Sequence, residues 1–406
     1  MKNGYIQKNA KADDTTLKVK MLKQSYHIQE EIIEWRRDFH MHPELGFKEI
    51  RTSNRVAEEL EKLGYRVRRN VGRTGVVADL GDKNGPCFAI RADMDALPIL
   101  EANDVPYKSL NGGTMHACGH DSHTAMLLGV ATLLAKEKFP GKIRLLFQPS
   151  EEIGDEEGIS GAPRMIEDGA MDGVKMVIAL HVDPSTPVGD IHINSGPASG
   201  GVDSWYGRLI GKGGHGAKPN ETIDPFNIAA HVMFALNTIV SRRLHPFDPA
   251  VVSIGTLNGG FTQNVIPAHV DISGTLRFTD IKVQNQIHDE IRRAFEISRP
   301  LGGDYELRFE IGAPPMINNP IAASLIETVA ADLLGKEHVT PIPKELGAED
   351  FGSFTQIAPG AMFTLGTLIE GDERYLHHPR LDLDERALPI GTAILAETAL
   401  RFLRNP

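Results

Sequence analysis

Two short, predominantly apolar runs place the strongest constraint on how this chain folds. They are Ile143–Phe147 and Met176–Leu180, and each is the length of one strand. Strands with so little polar alternation are typical of a sheet that is buried on both faces. Helical apolar spacing and short strand-like runs alternate elsewhere; in chain order these segments are 25–39, 52–63, 75–80, 87–91 and 121–136. The alternation predicts an α/β domain with a mostly parallel sheet covered by helices.

The middle of the chain has a different order of elements. From Val202 the pattern predicts strand, helix, strand, strand, helix and strand, over 205–210, 224–244, 251–257, 265–278, 281–297 and 305–311. This order is typical of a ferredoxin-like α+β domain. Because Gly- and Pro-rich breaks bracket the region, we expect an inserted domain at 198–312. The larger domain would then be discontinuous, comprising 25–197 and 313–406.

Composition and charge exclude several classes of function. The 406-residue chain has a formal net charge of −11 and no basic block, which argues against nucleic-acid binding. Its two cysteines are too few for a disulfide framework, and no run reaches the ~20 apolar residues of a membrane helix. The polar start lacks the apolar core of a signal peptide, so residues 1–24 are predicted to form a charged N-terminal extension. We therefore expect a cytoplasmic protein that binds neither nucleic acid nor membrane.

Thiol, imidazole and carboxylate side chains follow the predicted strands or precede a predicted helix. In chain order these residues are Cys118, His120, Glu151, Glu152 and His181. Ligands of open α/β sheets gather at the carboxyl ends of the strands. Thiol, imidazole and carboxylate groups also hold divalent metals that activate water. A buried inert cysteine and a solvated acidic loop are the alternative interpretations, but the agreement of these positions favours a metal site.

The residues alone leave several roles open. Of Glu151 and Glu152, one could bind a metal while the other takes a proton from water. His377 and His378 are adjacent, and either could be a further ligand. Two other histidines near the cysteine are assigned supporting positions: His116 and His123.

Other polar residues are candidates of lower specificity. Asp93 and Asp95 follow another predicted strand, where a carboxylate could orient a ligating histidine or form only a turn. In the inserted domain His215 lies in a Gly-rich loop, and Asn264 and Arg277 lie on strand-like segments. An arginine suits the carboxylate of a ligand, yet each of these three residues is by itself more consistent with a structural role.

Eight ordered motifs between Arg36 and His377-His-Pro379 resemble the N-acyl-amino-acid amidohydrolase family. This family includes hippurate hydrolase, auxin-conjugate amidohydrolases and bacterial aminoacylases, within a two-metal superfamily of aminoacylases and carboxypeptidases. The motifs are Arg36-Arg-Asp-Phe-His-Met-His-Pro-Glu44, Arg91-Ala-Asp-Met-Asp-Ala-Leu-Pro98, Met115-His-Ala-Cys-Gly-His-Asp121, Gln148-Pro-Ser-Glu-Glu152, Gly213-Gly-His215, Asn264-Val-Ile-Pro267, Gly347-Ala-Glu-Asp-Phe351 and His377-His-Pro379.

The resemblance implies a fold, a cofactor and a set of residue roles. The larger domain would be a zinc-peptidase-like catalytic domain, and the insert a lid that forms a homodimer, with a tetramer as the alternative. Two divalent metal ions per subunit, zinc or manganese in preference to cobalt or nickel, would be held by Cys118, His120, Glu152, His181 and His377. Glu151 would act as general base and then acid. His215 would reach the substrate carbonyl, and Asn264 and Arg277 would bind the carboxylate side of the substrate. Asp95 is the candidate for orienting a ligating histidine, on the chemical argument given above.

The resemblance therefore predicts a metal-dependent amidohydrolase that cleaves N-acyl-L-amino acids such as N-acetyl or N-benzoyl conjugates. A metallo-dipeptidase or carboxypeptidase of the same superfamily is the nearest alternative. A catalytically silent metal-binding scaffold and a metal-free thiol hydrolase using Cys118 are alternatives from other classes. The chain departs from the pattern of the family at the acidic segment 153–160. This segment is longer than the usual Gly-rich turn and could alter the entrance to the site.

Overall fold

The computed structural model describes residues 20–82, 84–343 and 345–405. The strands in chain order are β1 Arg66–Val71, β2 Gly75–Gly81, β3 Cys87–Asp93, β4 Lys142–Gln148, β5 Val174–Pro187, β6 Ile191–His192, β7 Gly196–Ser199, β8 Gly201–Ile210, β9 Gly214–His215, β10 Ala250–Gly259, β11 Val265–Ile266, β12 His269–Phe278, β13 Asp304–Ile311, β14 Met316–Asn318, β15 Val339–Thr340 and β16 Gly360–Leu368. The α-helices are α1 (20–27), α2 Gln29–Met41, α3 Ile50–Lys62, α4 His120–Leu134, α5 Gly161–Glu167, α6 Pro225–Arg242, α7 Ile281–Glu296, α8 Pro320–Leu334, α9 Phe351–Ile357 and α10 Leu388–Arg404.

The chain divides into two compact units. The first comprises the described parts of Met1–Ala198, Ile317–Pro343 and Ser353–Pro406, and the second comprises the described parts of Ser199–Met316 and Lys344–Gly352. The short segment ending at Gly352 was assigned to the larger domain from sequence. It belongs with the second unit because Gly200 pairs with Ala348 and donates its N–H to the Gly347 carbonyl at 2.8 Å.

The first unit is built on one eight-stranded sheet with the order β1-β2-β4-β3-β5-β16-β6-β15. The central strands β4, β3, β5 and β16 are parallel, whereas β1, β2 and β4 pair in antiparallel fashion. The predicted α/β class with a mostly parallel sheet is confirmed. Helix α4 packs on β3, and all fifteen of its residues are buried. Such a helix has no polar face, which is why its amphipathic pattern is weak.

Three local features of the first unit differ from the sequence predictions. The helix predicted from position 121 begins one residue earlier, at His120, because Gly119 at φ +86° turns the chain there. Strand β5 continues beyond Leu180, through His181 to Pro187. Strand β1 was missed because its four arginine and asparagine side chains give it an exposed, polar pattern.

The predicted extension 1–24 falls largely outside the described residues. Residues 20–24 are described, and they are helical rather than part of a loose extension. Met21 is 2% exposed within the hydrophobic core of the first unit. Lys20 lies 2.6 Å from the Glu137 carboxylate, so this part of the chain is attached by both apolar and charged contacts.

The second unit has the predicted ferredoxin-like order. Its four antiparallel strands are arranged β10-β12-β8-β13, and α6 and α7 cover one face of the sheet. The segment 265–278, predicted as one strand, is two strands, β11 and β12. Pro267 separates them because proline has no N–H to donate to a sheet ladder. Asp224 and Asp280 cap the two helices by accepting backbone N–H groups.

None of the described helices combines the length and apolar character needed to cross a bilayer.

Candidate metal centre

The candidate ligands of the first unit meet in two overlapping groups. Each group has three ligand atoms that lie within 4.8 Å of one another. One group is Cys118, His120 and His181, and the other is Cys118, Glu152 and His377. Cys118 belongs to both groups, so its sulfur lies within 4.8 Å of the candidate ligand atoms of each. The structure also brings Glu151 within the same distance of His120 and Glu152.

Backbone turns at the ends of elements bring these ligands together. Gly119 carries the left-handed turn between Cys118 and His120, and a Cβ there would lie 2.6 Å from the Val182 side chain. His377 also has a positive φ of +59°, and its N–H donates to the Ala117 carbonyl at 2.6 Å. The loop of His377 is therefore tied directly to the segment that carries Cys118.

Hydrogen bonds fix which ring nitrogen each histidine presents. His120 Nδ1 lies 3.1 Å from Asp95 Oδ1, and its Nε2 is buried without a hydrogen-bond partner among the described residues. His181 Nδ1 donates to the Val182 carbonyl at 2.8 Å, so Nε2 is left 3.4 Å from Cys118 Sγ. A partner on one nitrogen that directs the other nitrogen to the ion is the normal arrangement of a metal-ligating histidine. The donor set and the unpartnered Nε2 both fit a bound cation.

Asp95 contacts two of the candidate ligand residues at once. One oxygen faces His120, and the other accepts the backbone N–H of Glu152 at 3.0 Å.

Asp93 has a different role, because it lies 2.6 Å from both the Arg91 guanidinium and His123 Nδ1. The Nε2 of His123 accepts the Val182 N–H at 3.0 Å, so both of its ring nitrogens are engaged within the protein.

Burial and neighbouring charges shift the pKa values of Cys118 and Glu152 in opposite directions. Burial raises the pKa of Cys118 well above that of an ordinary thiol, although His120 opposes this. Burial also acts to raise the pKa of Glu152, but a hydrogen bond from His377 and the charge of His120 hold it below its usual range. Binding of a positive ion would displace the proton of Cys118, since a metal ligand must be deprotonated.

A buried ionic network beside the cluster was missed by sequence reasoning. Arg36 of α2 donates to Asp121 at 3.0 Å and to Asp382 at 2.8 Å, and His40 lies 2.8 Å from Asp121. Burial acts to lower the pKa of His40, but Asp121 and Glu101 raise it to about 8. A sequence signal did exist, because Arg36 lies on the apolar face of α2, where an unpaired charge would be costly. The network joins α2 to the first turn of α4 and to the loop after His377.

Two arginines pair with the acidic segment after Glu152. Asp155 lies 2.5 Å from the Arg73 guanidinium and 2.8 Å from that of Arg164. Asp155 also accepts the N–H groups of Glu157 and Ile159. The longer loop is thus internally held by ion pairs rather than being a free patch of negative charge.

The three remaining candidates lie in the second unit. His215 in β9 pairs with Val265, and the Gly216 N–H donates to the Asn264 carbonyl at 2.9 Å, so His215 and Asn264 are neighbours. Both are exposed. Arg277 is half-buried in β12 and donates to Thr275 Oγ1 at 2.6 Å. Its guanidinium has no carboxylate partner among the described residues, and partial burial lowers its pKa.

Comparison with known proteins agrees with this architecture. The model of peptidase family M20/M25/M40 matches residues 89–401. The chain belongs to this family. The earlier resemblance is thereby confirmed, as is the prediction of a hydrolase that acts on amides.

Relatives within the family act on different amides. The chain is 39% identical to an N-acetyl-L-cysteine deacetylase of Bacillus subtilis, over 93% of this chain and 89% of the relative. It is 42% identical to thermostable carboxypeptidase 2 of Saccharolobus solfataricus, over 92% and 96% of the two chains. A solved structure, a dinuclear metal-binding peptidase of the M20 family from Bacillus subtilis, matches with a TM-score of 0.82 at 33% identity, covering 94% of this chain and 99% of that one.

Proposed function

We propose that this chain hydrolyses the amide bond of N-acyl-L-amino acids with two divalent metal ions. The observation that carries the proposal is the pair of ligand groups that share Cys118, with Glu151 close beside them. The similarity to an N-acetyl-L-cysteine deacetylase along nearly the whole chain supports an acylated amino acid as substrate.

The ligands would be Cys118, His120, Glu152, His181 and His377. A thiolate together with imidazoles suits zinc, and the carboxylate also admits manganese, so these two ions are proposed ahead of cobalt and nickel. When bound, such ions supply Lewis acidity and lower the pKa of water. Asp95 would hold His120 and the backbone of Glu152 in the geometry that the ions require.

Glu151 would carry the proton during the reaction. Its carboxylate lies within 4.8 Å of ligand atoms of His120 and Glu152, close to where water would be activated. Glu151 would take a proton from the attacking water and deliver it to the leaving nitrogen. His215 would stabilise the negative charge that develops on the carbonyl oxygen of the substrate.

Arg277 would bind the substrate carboxylate together with Asn264. We expect Arg277→Met to raise KM by about 10- to 100-fold with a small change in kcat, because a hydrogen-bonded charge is worth about 1.5–3 kcal/mol. Steady-state kinetics with an N-acetyl-amino acid would measure this. The matched control is Arg208→Met, since Arg208 lies in the same sheet but is exposed and paired with Asp271 at 2.7 Å. An unchanged KM in Arg277→Met would remove Arg277 from the binding site.

We also propose that the second unit forms a homodimer, with a tetramer as the alternative assembly. Exposed apolar side chains support an interface on this unit. Phe234 on α6 is 75% exposed, and Phe247 after it is 87% exposed. Exposed aromatic groups of this kind mark interaction surfaces when they cluster.

Metal dependence and substrate class can be tested together. The purified protein is expected to cleave a panel of N-acetyl- and N-benzoyl-amino acids, to lose this activity on chelation, and to regain it with zinc or manganese. Preferential cleavage of free dipeptides or peptide C-termini would instead indicate the dipeptidase or carboxypeptidase alternative. Activity that survives complete metal removal would favour the thiol hydrolase, and inactivity with full metal content would favour the scaffold.

A further inference from the structure

The turn that leads into Glu151 is held by a glutamate from a distant segment. Ser150 is fully buried and has a φ of +46°, a left-handed conformation that non-glycine residues rarely adopt. Its backbone N–H donates to Oε1 of Glu49 at 2.8 Å. Glu49 is also fully buried, and its Oε2 accepts a hydrogen bond from Thr74 Oγ1 at 2.5 Å.

The side chain of Glu49 is not needed by its own helix. Glu49 is the residue directly before α3, yet its side chain makes no capping hydrogen bond. The N–H groups of Arg51 and Thr52 donate instead to Glu44, at 3.0 and 2.8 Å. Burial of a carboxylate costs free energy unless the carboxylate is hydrogen-bonded. The hydrogen bonds of Glu49 with Ser150 and Thr74 therefore need an explanation other than capping of α3.

Close packing surrounds the same turn. A Cβ added at Gly46 would lie 2.3 Å from Ser150 Oγ, and one at Gly161 would lie 1.6 Å from the Pro149 carbonyl oxygen. The Ser150 carbonyl accepts the Gly161 N–H at 2.8 Å, and Ser150 Oγ donates to the Ile153 carbonyl at 2.8 Å. The turn is therefore enclosed on several sides, and Glu49 satisfies its buried N–H.

The two carboxylates that follow the turn stand at different distances from Ser150 along the chain. Glu152 has separate anchors, because its N–H donates to Asp95 at 3.0 Å and its carboxylate lies 3.1 Å from His377 Nε2. Glu151 is the residue bonded directly to Ser150. A change in the turn is therefore expected to affect Glu151 more than Glu152.

We propose that Glu49 is a positioning residue for Glu151, because its hydrogen bond to the Ser150 N–H holds the turn that directs the Glu151 carboxylate to the metal centre. This rests on the role given to Glu151 in the proposed function. What the turn requires is a hydrogen-bond acceptor at Oε1. Glutamine at position 49 keeps such an acceptor, whereas alanine removes it.

The test compares Glu49→Ala with Glu49→Gln in the full-length, metal-loaded protein. Four quantities are measured: kcat, KM, metal content, and hydrogen exchange of the backbone amides at 150–153. For Glu49→Ala we expect kcat to fall about 10- to 100-fold with KM within about twofold, because a small misplacement of a reacting group is costly. Metal content should be unchanged and amide exchange faster. Glu49→Gln should keep kcat within about threefold of the wild type.

The matched control is Glu44→Ala, which removes the carboxylate that accepts the N–H groups at the start of α3. It should lower the melting temperature while leaving kcat within about twofold, since it does not touch Ser150. If Glu49→Ala does not fold, Thr74→Val provides the second variant. It removes the hydroxyl that orients Glu49, and a fall in kcat of about 3- to 10-fold is expected.

Several results would overturn the positioning role. The first is a wild-type kcat in Glu49→Ala, or in Thr74→Val if Glu49→Ala does not fold. The second is an equal loss of kcat in Glu49→Ala and Glu49→Gln. The third is a loss of bound metal that accompanies the loss of activity. Failure of the proposed function is distinguishable, because the wild-type protein itself would then cleave no acylated amino acid. In that case the amide exchange of 150–153 still reports whether Glu49 holds the turn.

Discussion

Replacement of Glu151 with glutamine is expected to lower kcat by about 100- to 10,000-fold, which is the usual contribution of a general acid–base group. Glutamine has nearly the same shape as glutamate but cannot take a proton from water. The metal ligands proposed above are Cys118, His120, Glu152, His181 and His377, and Glu151 is not among them, so metal content should stay near that of the wild type. Kinetics on an N-acetyl-amino acid and metal analysis of the same preparation would check both expectations.

The control for this substitution lies in the same loop. Glu156→Gln makes the same chemical change five positions away, at a side chain that is 82% exposed and paired with Arg73. It should leave kcat unchanged. If Glu151→Gln retained wild-type turnover, the proton-transfer role would have to pass to another residue, and the positioning role of Glu49 would lose its basis.

Replacement of Cys118 with alanine is expected to weaken binding at both metal positions and to abolish activity. Cys118 is the member common to the two ligand groups, so its loss leaves only two ligands in each. Metal content should fall from about two ions per chain to below one, because a position with two protein ligands seldom retains its ion. Metal analysis after gel filtration, together with isothermal titration, would measure the change.

Cys87 provides the matched control. It is the other cysteine of the chain, and it is buried in β3 outside the metal-ligand groups found among the described residues. Cys87→Ala should keep both ions and full activity. Loss of only one ion from Cys118→Ala would show that Cys118 serves only one of the two proposed metal positions, and the ligands of the other position would then have to be reassigned.

Much of the fold could be predicted because local pattern and local chemistry agree. Runs such as Ile143–Phe147 carry enough apolar character to identify buried strands, and the order of elements in 205–311 identifies a ferredoxin-like unit. The types of the candidate ligands and their places at the ends of elements were also readable. The structure brings Cys118, His120, Glu151, Glu152, His181 and His377 together, and their catalytic and metal-binding roles remain proposals.

What could not be predicted depends on contacts between residues that are far apart in the sequence. The bond from Ser150 to Glu49 spans 101 positions, and that from Arg36 to Asp382 spans 346. The local hydrophobic pattern of a sequence contains no information about pairs of residues so far apart. The same reason explains the segment that ends at Gly352, which joins the second unit through backbone pairing with Gly200.

The exposure of His377 makes the two ligand groups unequal in kinetic terms. Its side chain is 54% exposed on a loop, whereas that of His120 is 1% exposed at the start of a fully buried helix. Local opening of a loop requires far less free energy than displacement of a core helix. An ion held by Cys118, Glu152 and His377 would therefore exchange with the surroundings faster than its neighbour. The chain would pass through a half-loaded state as metal becomes scarce, and its activity would then follow the supply of the faster-exchanging ion.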